Sequence, residues 1–286
     1  MPELPEVHAL ATDLGARLTG RTIDRLELVS FAVLKTFDPP PSALAGRTVS
    51  GVHRHGKFLD IDADGLHLVM HLARAGWIRW REAEPKASTR PGKGPLAARL
   101  VLDDGSGFDV TEAGTKKSLA IYVVNDAQEV PGVASLGPDP LADGFTEDDL
   151  ARILAGAGRA QIKGVLRNQS LLAGIGNAYS DEILHVAKMS PYKPAAMSED
   201  ERHRLFEAMQ STLRDAIARS DGLAASDLKR EKKSGLRVHG RTGEACPVCG
   251  DTIREVIFAD STFQYCPTCQ TGGKPLADRV LSRLLK

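Results

Sequence analysis

The first residues of the chain carry groups that could do covalent chemistry. The sequence begins Met1-Pro2-Glu3, so removal of the methionine would leave Pro2 with a free secondary amine. An α-amino group titrates at about pH 8, roughly two units below lysine, and is partly nucleophilic at neutral pH. Such an amine can form a Schiff base with a sugar aldehyde, and the Glu3 carboxyl can transfer protons during the attack. The alternative is purely structural, because Pro5 with Glu3 and Glu6 suits the first turn of any helix, where proline and acidic side chains are favoured.

All four cysteines of the chain lie in two C-x2-C pairs, Cys246 with Cys249 and Cys266 with Cys269, and 16 residues separate the pairs. This spacing is typical of a tetrahedral four-thiolate zinc site on a β-hairpin. The alternative is a pair of disulfides, but the N-terminal residues show no apolar signal segment, and disulfide scaffolds are short and rich in cysteine. Four cysteine ligands leave no open position for a substrate, so we predict one structural zinc ion per chain.

Length and charge limit the classes of protein to consider. A chain of 286 residues with 42% hydrophobic content predicts two lobes and a small zinc module. The sequence contains no run of 18 apolar residues, so we predict no membrane span. The 37 basic and 37 acidic residues cancel, which argues against a protein that coats nucleic acid by overall charge. Residues 229–241 nevertheless contain six basic side chains and one acidic one. This run is either a solvated face or a phosphate-binding segment.

Hydrophobic periodicity predicts a strand-rich first part of the chain. Residues 5–19 have the period of an amphipathic helix. The predicted strands that follow are residues 23–29, 48–53, 58–62, 66–72, 77–81, 98–102, 108–110 and 119–124. Eight short strands after one helix indicate a β-sandwich or a flattened barrel, in which Trp77 and Trp80 are core or sheet-surface residues.

The second part of the chain has a helical pattern. It follows a linker rich in glycine and proline, and Thr146 and Ser198 begin capping boxes that indicate helix starts. A glycine turn over residues 174–177 precedes one of these helices. Backbone N–H groups at this turn, together with the Asn177 amide, could hold a phosphate.

Taken together, these motifs resemble the formamidopyrimidine-DNA glycosylase and endonuclease VIII family of base-excision repair enzymes. The similar segments follow the family order and cover residues 1–7, 54–57, 136–141, 173–177, 238–246 and 265–270. The resemblance implies an α+β multidomain fold. Its expected parts are an N-terminal catalytic β-sandwich domain with a leading helix (1–130), a linker (131–144), a helical helix-two-turn-helix DNA-binding domain (145–240) and a zinc-finger β-hairpin (241–286).

The resemblance also implies roles for single residues. In this family the proline amine, here Pro2, displaces the damaged base and forms a Schiff base with the deoxyribose. The adjacent Glu3 assists by proton transfer, and β- and δ-elimination cut the strand. Lys57 matches a lysine that contacts DNA phosphate and supports this chemistry. Asn177 matches the asparagine that grips phosphate in the helix-two-turn-helix motif, and Lys163 matches a further phosphate-binding lysine.

The chain departs from the family at the residues that fill the space left by a flipped base. Relatives that excise 8-oxoguanine use a methionine, an arginine and a phenylalanine there. Here Arg74 occupies the methionine position, and the other two positions fall on or near Gly114 and Lys116. The methionine and phenylalanine that act as apolar wedges are therefore both lost. We expect Arg74 and Lys116 to contact DNA through their charge.

Two further departures concern the finger and the segment before it. Ser261, preceded by Asp260, stands where the finger of relatives carries a phosphate-binding arginine. A carboxylate repels phosphate, so this finger must bind DNA differently or less tightly. The loop over residues 222–237 lacks the aromatic tip that caps 8-oxoguanine in relatives, and its basic residues suit backbone binding.

The leading hypothesis is a glycosylase with abasic-site lyase activity whose preferred base is not 8-oxoguanine opposite cytosine. The alternative is a non-catalytic module that recognises damaged DNA with the same fold, its amine blocked by retained Met1. Either way, the expected partner is damaged DNA, with no membrane. We expect a monomer in the cytoplasm, associated with the nucleoid.

Overall fold

The computed structural model describes residues 1–83, 94–258 and 261–277. The chain divides into two compact units, one formed by Met1–Leu136 with Ser220–Lys229 and the other by Gly137–Arg219 with Arg230–Lys286. This division differs from the expected boundaries at two places. Residues 220–229 belong to the N-terminal unit, and the zinc hairpin shares its unit with the helices.

The N-terminal unit begins with a helix and continues as two antiparallel sheets. Helix α1 spans Leu4–Leu18. The strands are β1 (Ile23–Leu28), β2 (Val49–His55), β3 (Phe58–Ala63), β4 (Leu66–His71), β5 (Gly76–Arg81), β6 (Leu96–Leu102), β7 (Gly107–Glu112) and β8 (Ala120–Val124). One sheet has the order β1-β6-β7-β5 and the other has the order β2-β3-β4-β8. The predicted leading helix and β-sandwich are therefore confirmed.

Alternation along the strands explains why the two sheets form. Leu59 and Ile61 of β3 are fully buried in the same core as Leu100 and Phe108 from the other sheet. Burying one apolar face of each sheet stabilises the pair by about 25 cal/mol per Å² of apolar surface removed from water. Helix α1 buries its apolar stripe in this core as well, so its first residues are held against the sandwich.

Trp77 attaches residues 220–229 to the N-terminal unit. Its indole N–H donates to the Ala225 carbonyl at 2.8 Å, and its side chain is 6% exposed. Leu228 is fully buried in the same core, and the Lys229 ammonium lies 4.6 Å from the Trp77 ring centroid. Trp77 is thus a core residue, as predicted. Trp80 is partly buried, with the Arg17 guanidinium 5.0 Å from its ring centroid.

The remaining elements are short helices, one long helix and a hairpin. The helices are α2 (Pro131–Ala134), α3 (Glu147–Ala157), α4 (Ile162–Arg167), α5 (Asn177–Val186), α6 (Glu199–Ser220), α7 (Leu228–Gly235) and α8 (Pro267–Thr271). Strands β9 (Arg254–Phe258) and β10 (Ser261–Tyr265) form the hairpin. The short 3-10 turns span Phe31–Val33, Pro41–Leu44 and Ala127–Glu129.

Both predicted capping boxes are present. The Thr146 backbone N–H donates to the Asp149 carboxylate at 2.7 Å, and the Asp149 N–H donates back to the Thr146 hydroxyl at 3.3 Å. Ser198 and Glu201 make the same reciprocal pair at 3.1 and 3.4 Å. These bonds satisfy N–H groups that a helix start leaves unpaired. Within the described residues, no helix combines the length and apolar character needed to cross a bilayer.

Candidate active site and metal centre

Pro2 and Glu3 lie buried at the start of α1. Glu3 is 2% exposed, and its backbone N–H donates to the Glu6 carboxylate at 2.8 Å. Glu6 is itself 1% exposed. Glu3 and Glu6 thus form a capping box at the start of α1. Two buried carboxyl groups, those of Glu3 and Glu6, therefore follow Pro2 closely along the chain and are shielded from bulk water.

Lys57 lies in the turn between β2 and β3, strands that contact α1. Its side chain is 8% exposed, so it is not an ordinary hairpin lysine on the surface. Burial, with a smaller contribution from the Lys57 ammonium, lowers the pKa of His71 to about 4. The His71 ring also packs against Phe58, with 4.8 Å between centroids. No local sequence signal singled out His71, which has a neutral imidazole at neutral pH.

The structure brings the Arg74 and Lys116 loops together. Arg74 lies exposed in the tight turn between β4 and β5, and Lys116 lies exposed in the loop between β7 and β8. Strands β5 and β7 pair directly, and Gly76 stands opposite Glu112 at the end where both loops emerge. A Cβ at Gly76 would lie 2.1 Å from the Leu72 carbonyl oxygen. Only glycine allows this turn to close.

Glu112 holds the loop that carries Lys116. One of its carboxylate oxygens accepts the backbone N–H groups of Ser118 at 2.7 Å and Leu119 at 3.0 Å. The Lys117 ammonium donates to the Glu112 carbonyl. Residues 113–118 between these anchors are all exposed. Arg74 and Lys116 therefore lie on two neighbouring loops, and Gly114 in the second loop has a left-handed φ of 87°.

The turn before α5 is built around Gln169. Its side-chain oxygen accepts the Gly174 N–H at 3.0 Å, and its side-chain amide donates to the Ile175 carbonyl at 2.7 Å. Gly174 has a φ of 89°, which glycine adopts without strain. The Asn177 amide, predicted to grip phosphate, donates to the Thr262 carbonyl of β10 at 2.7 Å. Sequence reasoning missed Gln169, because nothing in the local pattern distinguishes it from a surface glutamine.

Lys163 does not have the surface position expected of a phosphate ligand. It is 6% exposed, and its ammonium donates to the Asp181 carboxylate at 2.6 Å and the Ser180 hydroxyl at 2.7 Å. A third bond, at 3.2 Å, goes to the Asn177 carbonyl. All three N–H bonds of the ammonium thus have internal acceptors. Lys163 neutralises the fully buried Asp181, because an unpaired charge in the interior is costly.

Acidic residues of α5 bind the chain that leads into the finger. Asp181 accepts from the His239 ring at 2.7 Å and from the Gln264 N–H at 3.1 Å. The Glu182 carboxylate accepts the backbone N–H groups of residues 237, 238 and 239 at 2.7 to 3.0 Å. Burial raises the pKa of Glu182, although these three bonds oppose the shift. Helix α5 is therefore the element on which the finger is mounted.

Several residues of the basic run over residues 229–241 make internal contacts. The Lys232 ammonium lies 4.8 Å from the Tyr179 ring centroid, and Arg219 pairs with Glu231 at 2.8 Å. Such cation–π contacts hold the aliphatic stems against aromatic rings and keep the charges near the surface. Of the finger departures, Asp260 lies outside the described residues, as does the side chain of Ser261.

The four cysteines form a cluster that fits zinc. Their sulfur atoms all lie within 4.8 Å of one another, with 3.9 Å between Cys246 and Cys269 and 3.4 Å between Cys249 and Cys266. A tetrahedral zinc with bonds of about 2.3 Å requires sulfur–sulfur distances of about 3.8 Å. All four cysteines are free, so the disulfide alternative is wrong. Burial raises the pKa of the Cys266 thiol to about 11, so a cation is needed to hold the thiolates. The cluster is a structural zinc site.

Comparison with known proteins finds family matches in three regions of the chain. Family models match the formamidopyrimidine-DNA glycosylase N-terminal domain at residues 1–114, the H2TH domain of the same enzymes at residues 136–227, and the zinc finger found in FPG and IleRS at residues 243–272. The chain is 33% identical over 281 residues to the formamidopyrimidine-DNA glycosylase of Heliobacterium modesticaldum, covering 94% of this chain and all of that one. It is 61% identical over 157 residues to an uncharacterised formamidopyrimidine-DNA glycosylase-like protein of Mycobacterium tuberculosis, covering 54% of this chain and 98% of that one.

Solved structures show the same architecture. The MutM (Fpg) protein of Thermus thermophilus aligns with a TM-score of 0.79 and 30% identity, over 96% of this chain and all of that chain. The Lactococcus lactis Fpg, solved in complex with DNA that contains FAPY-dG, aligns with a TM-score of 0.81 and 28% identity, over 94% of this chain and all of that chain. The chain therefore belongs to the formamidopyrimidine-DNA glycosylase family.

Proposed function

We propose that this protein is a base-excision-repair DNA glycosylase that also cleaves abasic sites through the amine of Pro2. Family membership supports the glycosylase activity. The observation that supports the lyase step is the burial of Pro2 and Glu3 at the start of α1. That helix contacts the hairpin whose turn bears the buried Lys57. Zinc holds the finger in shape and takes no part at the sugar.

The proposed reaction needs a nucleophile and a proton carrier. After removal of Met1, the Pro2 nitrogen attacks C1′ of the damaged nucleotide, and the bond from C1′ to the base breaks with the electron pair leaving on the base. The Glu3 carboxyl transfers protons as the sugar ring opens to an iminium ion. Loss of a proton from C2′ then expels the 3′ phosphate, and a second elimination expels the 5′ phosphate. Lys57 supplies positive charge near these phosphates.

The loops that carry Arg74 and Lys116 bear on the choice of lesion. Both side chains are exposed cations on adjacent turns, and neither is a rigid apolar wedge of the kind that separates stacked bases. Unstacking a paired base costs a few kcal/mol, and it costs least where the base is damaged, mismatched or unpaired. We therefore propose abasic sites and oxidised pyrimidines as substrates in preference to 8-oxoguanine opposite cytosine.

Borohydride trapping tests the chemistry. Wild-type protein should form a covalent adduct with abasic-site DNA, because borohydride reduces an iminium ion to a stable amine. The Pro2→Gly variant should trap weakly. The Glu3→Gln variant should lose base excision more than cleavage of a ready-made abasic site, where the aldehyde already exists. Absence of an adduct at every pH from about 6 to about 9, around the ordinary α-amino pKa, would contradict the proposal.

Intact mass distinguishes the two ways in which trapping can fail. A chain that retains Met1 has no free amine at Pro2, which would favour the non-catalytic module. A chain that lacks Met1 and still gives no adduct would show that the amine is present but unused.

A lesion panel tests the substrate class. We expect abasic sites or oxidised pyrimidines to react at least about tenfold faster than 8-oxoguanine paired with cytosine, since about 1.4 kcal/mol of avoided unstacking gives that factor. Defined lesions in single- and double-stranded oligonucleotides provide the measurement. Efficient excision of 8-oxoguanine from a paired duplex would show that another residue fills the space left by the flipped base.

We also propose that the second unit contributes to DNA binding. We propose that the Asn177 side-chain amide, which has a second hydrogen besides the one donated to Thr262, contacts a DNA phosphate at the turn before α5. We propose that the protein acts as a monomer on chromosomal DNA, associated with the nucleoid. Light scattering after gel filtration tests the first point, and fluorescence microscopy of a tagged chain tests the second.

A further inference from the structure

Helix α5 contacts the zinc-finger segment through side chains spaced four residues apart. Asn177 donates to the Thr262 carbonyl at 2.7 Å, and Asp181 accepts from the Gln264 N–H at 3.1 Å. One turn further along the helix, His185 reaches Cys246. Residues at this spacing share one face of a helix. The first two contacts go to the hairpin strand β10, whereas the third goes to a zinc ligand.

The His185 ring is enclosed beside the metal site. Its side chain is 2% exposed, and its Nε2 atom lies 3.3 Å from the Cys246 sulfur, which belongs to a residue that is 3% exposed. Its Nδ1 atom is buried and has no hydrogen-bond partner among the residues that the structure describes. Within the described part of the chain, the Cys246 sulfur is therefore the polar contact that orients the imidazole.

The direction of this hydrogen bond follows from the chemistry of the site. With zinc bound, Cys246 is a thiolate and can only accept, so the Nε2 atom must carry the hydrogen. A zinc ion with four thiolates has a net charge of −2, and donation of an N–H to one sulfur lowers the cost of burying that charge. A phenylalanine would fill the same space without providing a donor.

We propose that His185 is a positioning residue of the zinc centre, whose Nε2–H donates to the Cys246 thiolate and joins the end of α5 to the metal. This inference does not depend on the proposed glycosylase chemistry. It makes α5 a connection between the zinc site and the Asn177 turn at the opposite end of the same helix. The family's four-cysteine ligand set is unchanged, and His185 acts outside it.

Spectroscopy of the wild-type chain tests the hydrogen bond without any substitution. The full-length protein is loaded with ¹¹³Cd, labelled with ¹⁵N, and examined for the His185 imidazole. We expect one imidazole Nε2 proton that exchanges slowly with water and shows scalar coupling to ¹¹³Cd through the sulfur. Replacement of His185 should remove this signal and shift the ¹¹³Cd resonance. An Nε2 atom without a proton in the metal-loaded protein would overturn the proposal.

Two variants at the same position separate donation from packing. His185→Phe keeps a planar ring and removes the donor, whereas His185→Gln places an amide nitrogen the same number of bonds from Cβ. We expect His185→Phe to weaken zinc binding by about 10- to 100-fold in competition with a chelator, the range found for lost outer partners of metal ligands. His185→Gln should restore most of the affinity. His203→Phe, at an exposed position on α6, is the control and should not change it.

The outcomes are decisive even where a variant folds poorly. If His185→Phe fails to fold, the His185→Gln variant and the cadmium spectrum of the wild-type protein decide whether the Nε2 atom donates to Cys246. If Phe and Gln weaken zinc binding equally while both remain folded, the histidine acts by shape, and the proposal is wrong. If Phe binds zinc as tightly as the wild type does, the hydrogen bond does not support the metal, and the proposal is equally wrong.

Discussion

At the scale of single residues, burial gives three basic side chains a chemistry that their positions in the sequence do not suggest. Lys57 and Lys163 are 8% and 6% exposed. A buried ammonium is stable only with acceptors around it, and Lys163 has an aspartate, a hydroxyl and a carbonyl. Burial, together with a smaller contribution from the nearby Lys57 charge, lowers the pKa of His71. The surroundings of each residue determine its charge and contacts, so substitution can test the role of each one.

Substitution of Lys163 tests whether this residue contacts phosphate. Lys163→Met should destabilise the second unit by about 3 kcal/mol, because it leaves the buried Asp181 charge without its cation. Hydrogen exchange of α5 measures this effect. The dependence of DNA affinity on salt should keep its slope, whereas loss of a phosphate contact would reduce that slope by about 1. The double variant Lys163→Met with Asp181→Asn is the control, and it should recover part of the stability.

The lowered pKa of His71 predicts that the N-terminal unit loses stability in acid. The unfolded chain binds a proton at this histidine below about pH 6.5, whereas the folded chain binds it only near pH 4. Stability therefore falls as pH drops through this window, by up to about 1.4 kcal/mol per unit. We expect His71→Gln to reduce the loss between pH 7 and pH 5 by about 1 to 2 kcal/mol.

Tryptophan fluorescence during urea unfolding measures this effect, because both tryptophans lie in the N-terminal unit. His203→Gln is the control. Glu147 raises the pKa of His203 by accepting its hydrogen bond, so loss of that histidine should not reduce the acid sensitivity. An unchanged pH dependence in His71→Gln would show that His71 is not the group responsible.

At the scale of elements, strand pairing places two loops at one edge of the sandwich. Gly76 stands opposite Glu112 across β5 and β7. The turn before Gly76 leaves no space for a Cβ at that position, and the Glu112 carboxylate holds the loop after β7. Residues 74 and 116 are far apart in sequence, yet their loops leave the same end of a paired ladder. Strand pairing therefore brings the two loops to one end of the ladder, while the contact of Arg74 and Lys116 with DNA stays a prediction.

Alanine substitutions in these loops test the contact. Arg74→Ala and Lys116→Ala should each weaken DNA binding and lower the slope of log affinity against log salt by about 0.9, the effect of one lost phosphate contact. Lesion preference should change little, since neither side chain is a wedge. Lys117→Ala is the matched control, because the Lys117 ammonium donates to the Glu112 carbonyl. An equal effect from all three variants would indicate general charge, with no specific contact.

At the scale of the whole molecule, the two units have separate sources of stability. The first has the large core between its sheets. The finger of the second has a small apolar cluster around Val238, Cys246, Ile253 and Cys266. So small a core makes metal binding a large part of the folding free energy of the finger. Because α5 is hydrogen-bonded to the finger segment, loss of zinc should also affect the stability of that helix.

Removal of zinc should therefore affect one unit and spare the other. Replacing any of the four cysteines by alanine, or treating the protein with a chelator, should unfold the finger and raise hydrogen exchange along α5. Tryptophan fluorescence should stay unchanged, because it reports only on the N-terminal unit. Elemental analysis should find one zinc per chain. A protein without zinc, or a loss of structure that includes the sandwich, would contradict this view.

The sequence by itself determined those features whose cause is local. The C-x2-C spacing indicated the metal site, alternation along the strands indicated the sandwich, and the capping boxes at Thr146 and Ser198 marked helix starts. Each signal lies within a few neighbouring residues, where spacing alone controls the geometry. The order of motifs along the chain was enough to indicate the family.

Only the tertiary structure decided what is buried and what pairs across the chain. It turned Lys163 inward to Asp181, placed His185 beside Cys246 at a separation of 61 residues, and assigned residues 220–229 to the N-terminal unit through Trp77. Burial depends on which distant segments pack together, and a local pattern contains no record of that. For this reason the sequence suggests which types of group belong to the candidate site, while the fold determines which of them face inward.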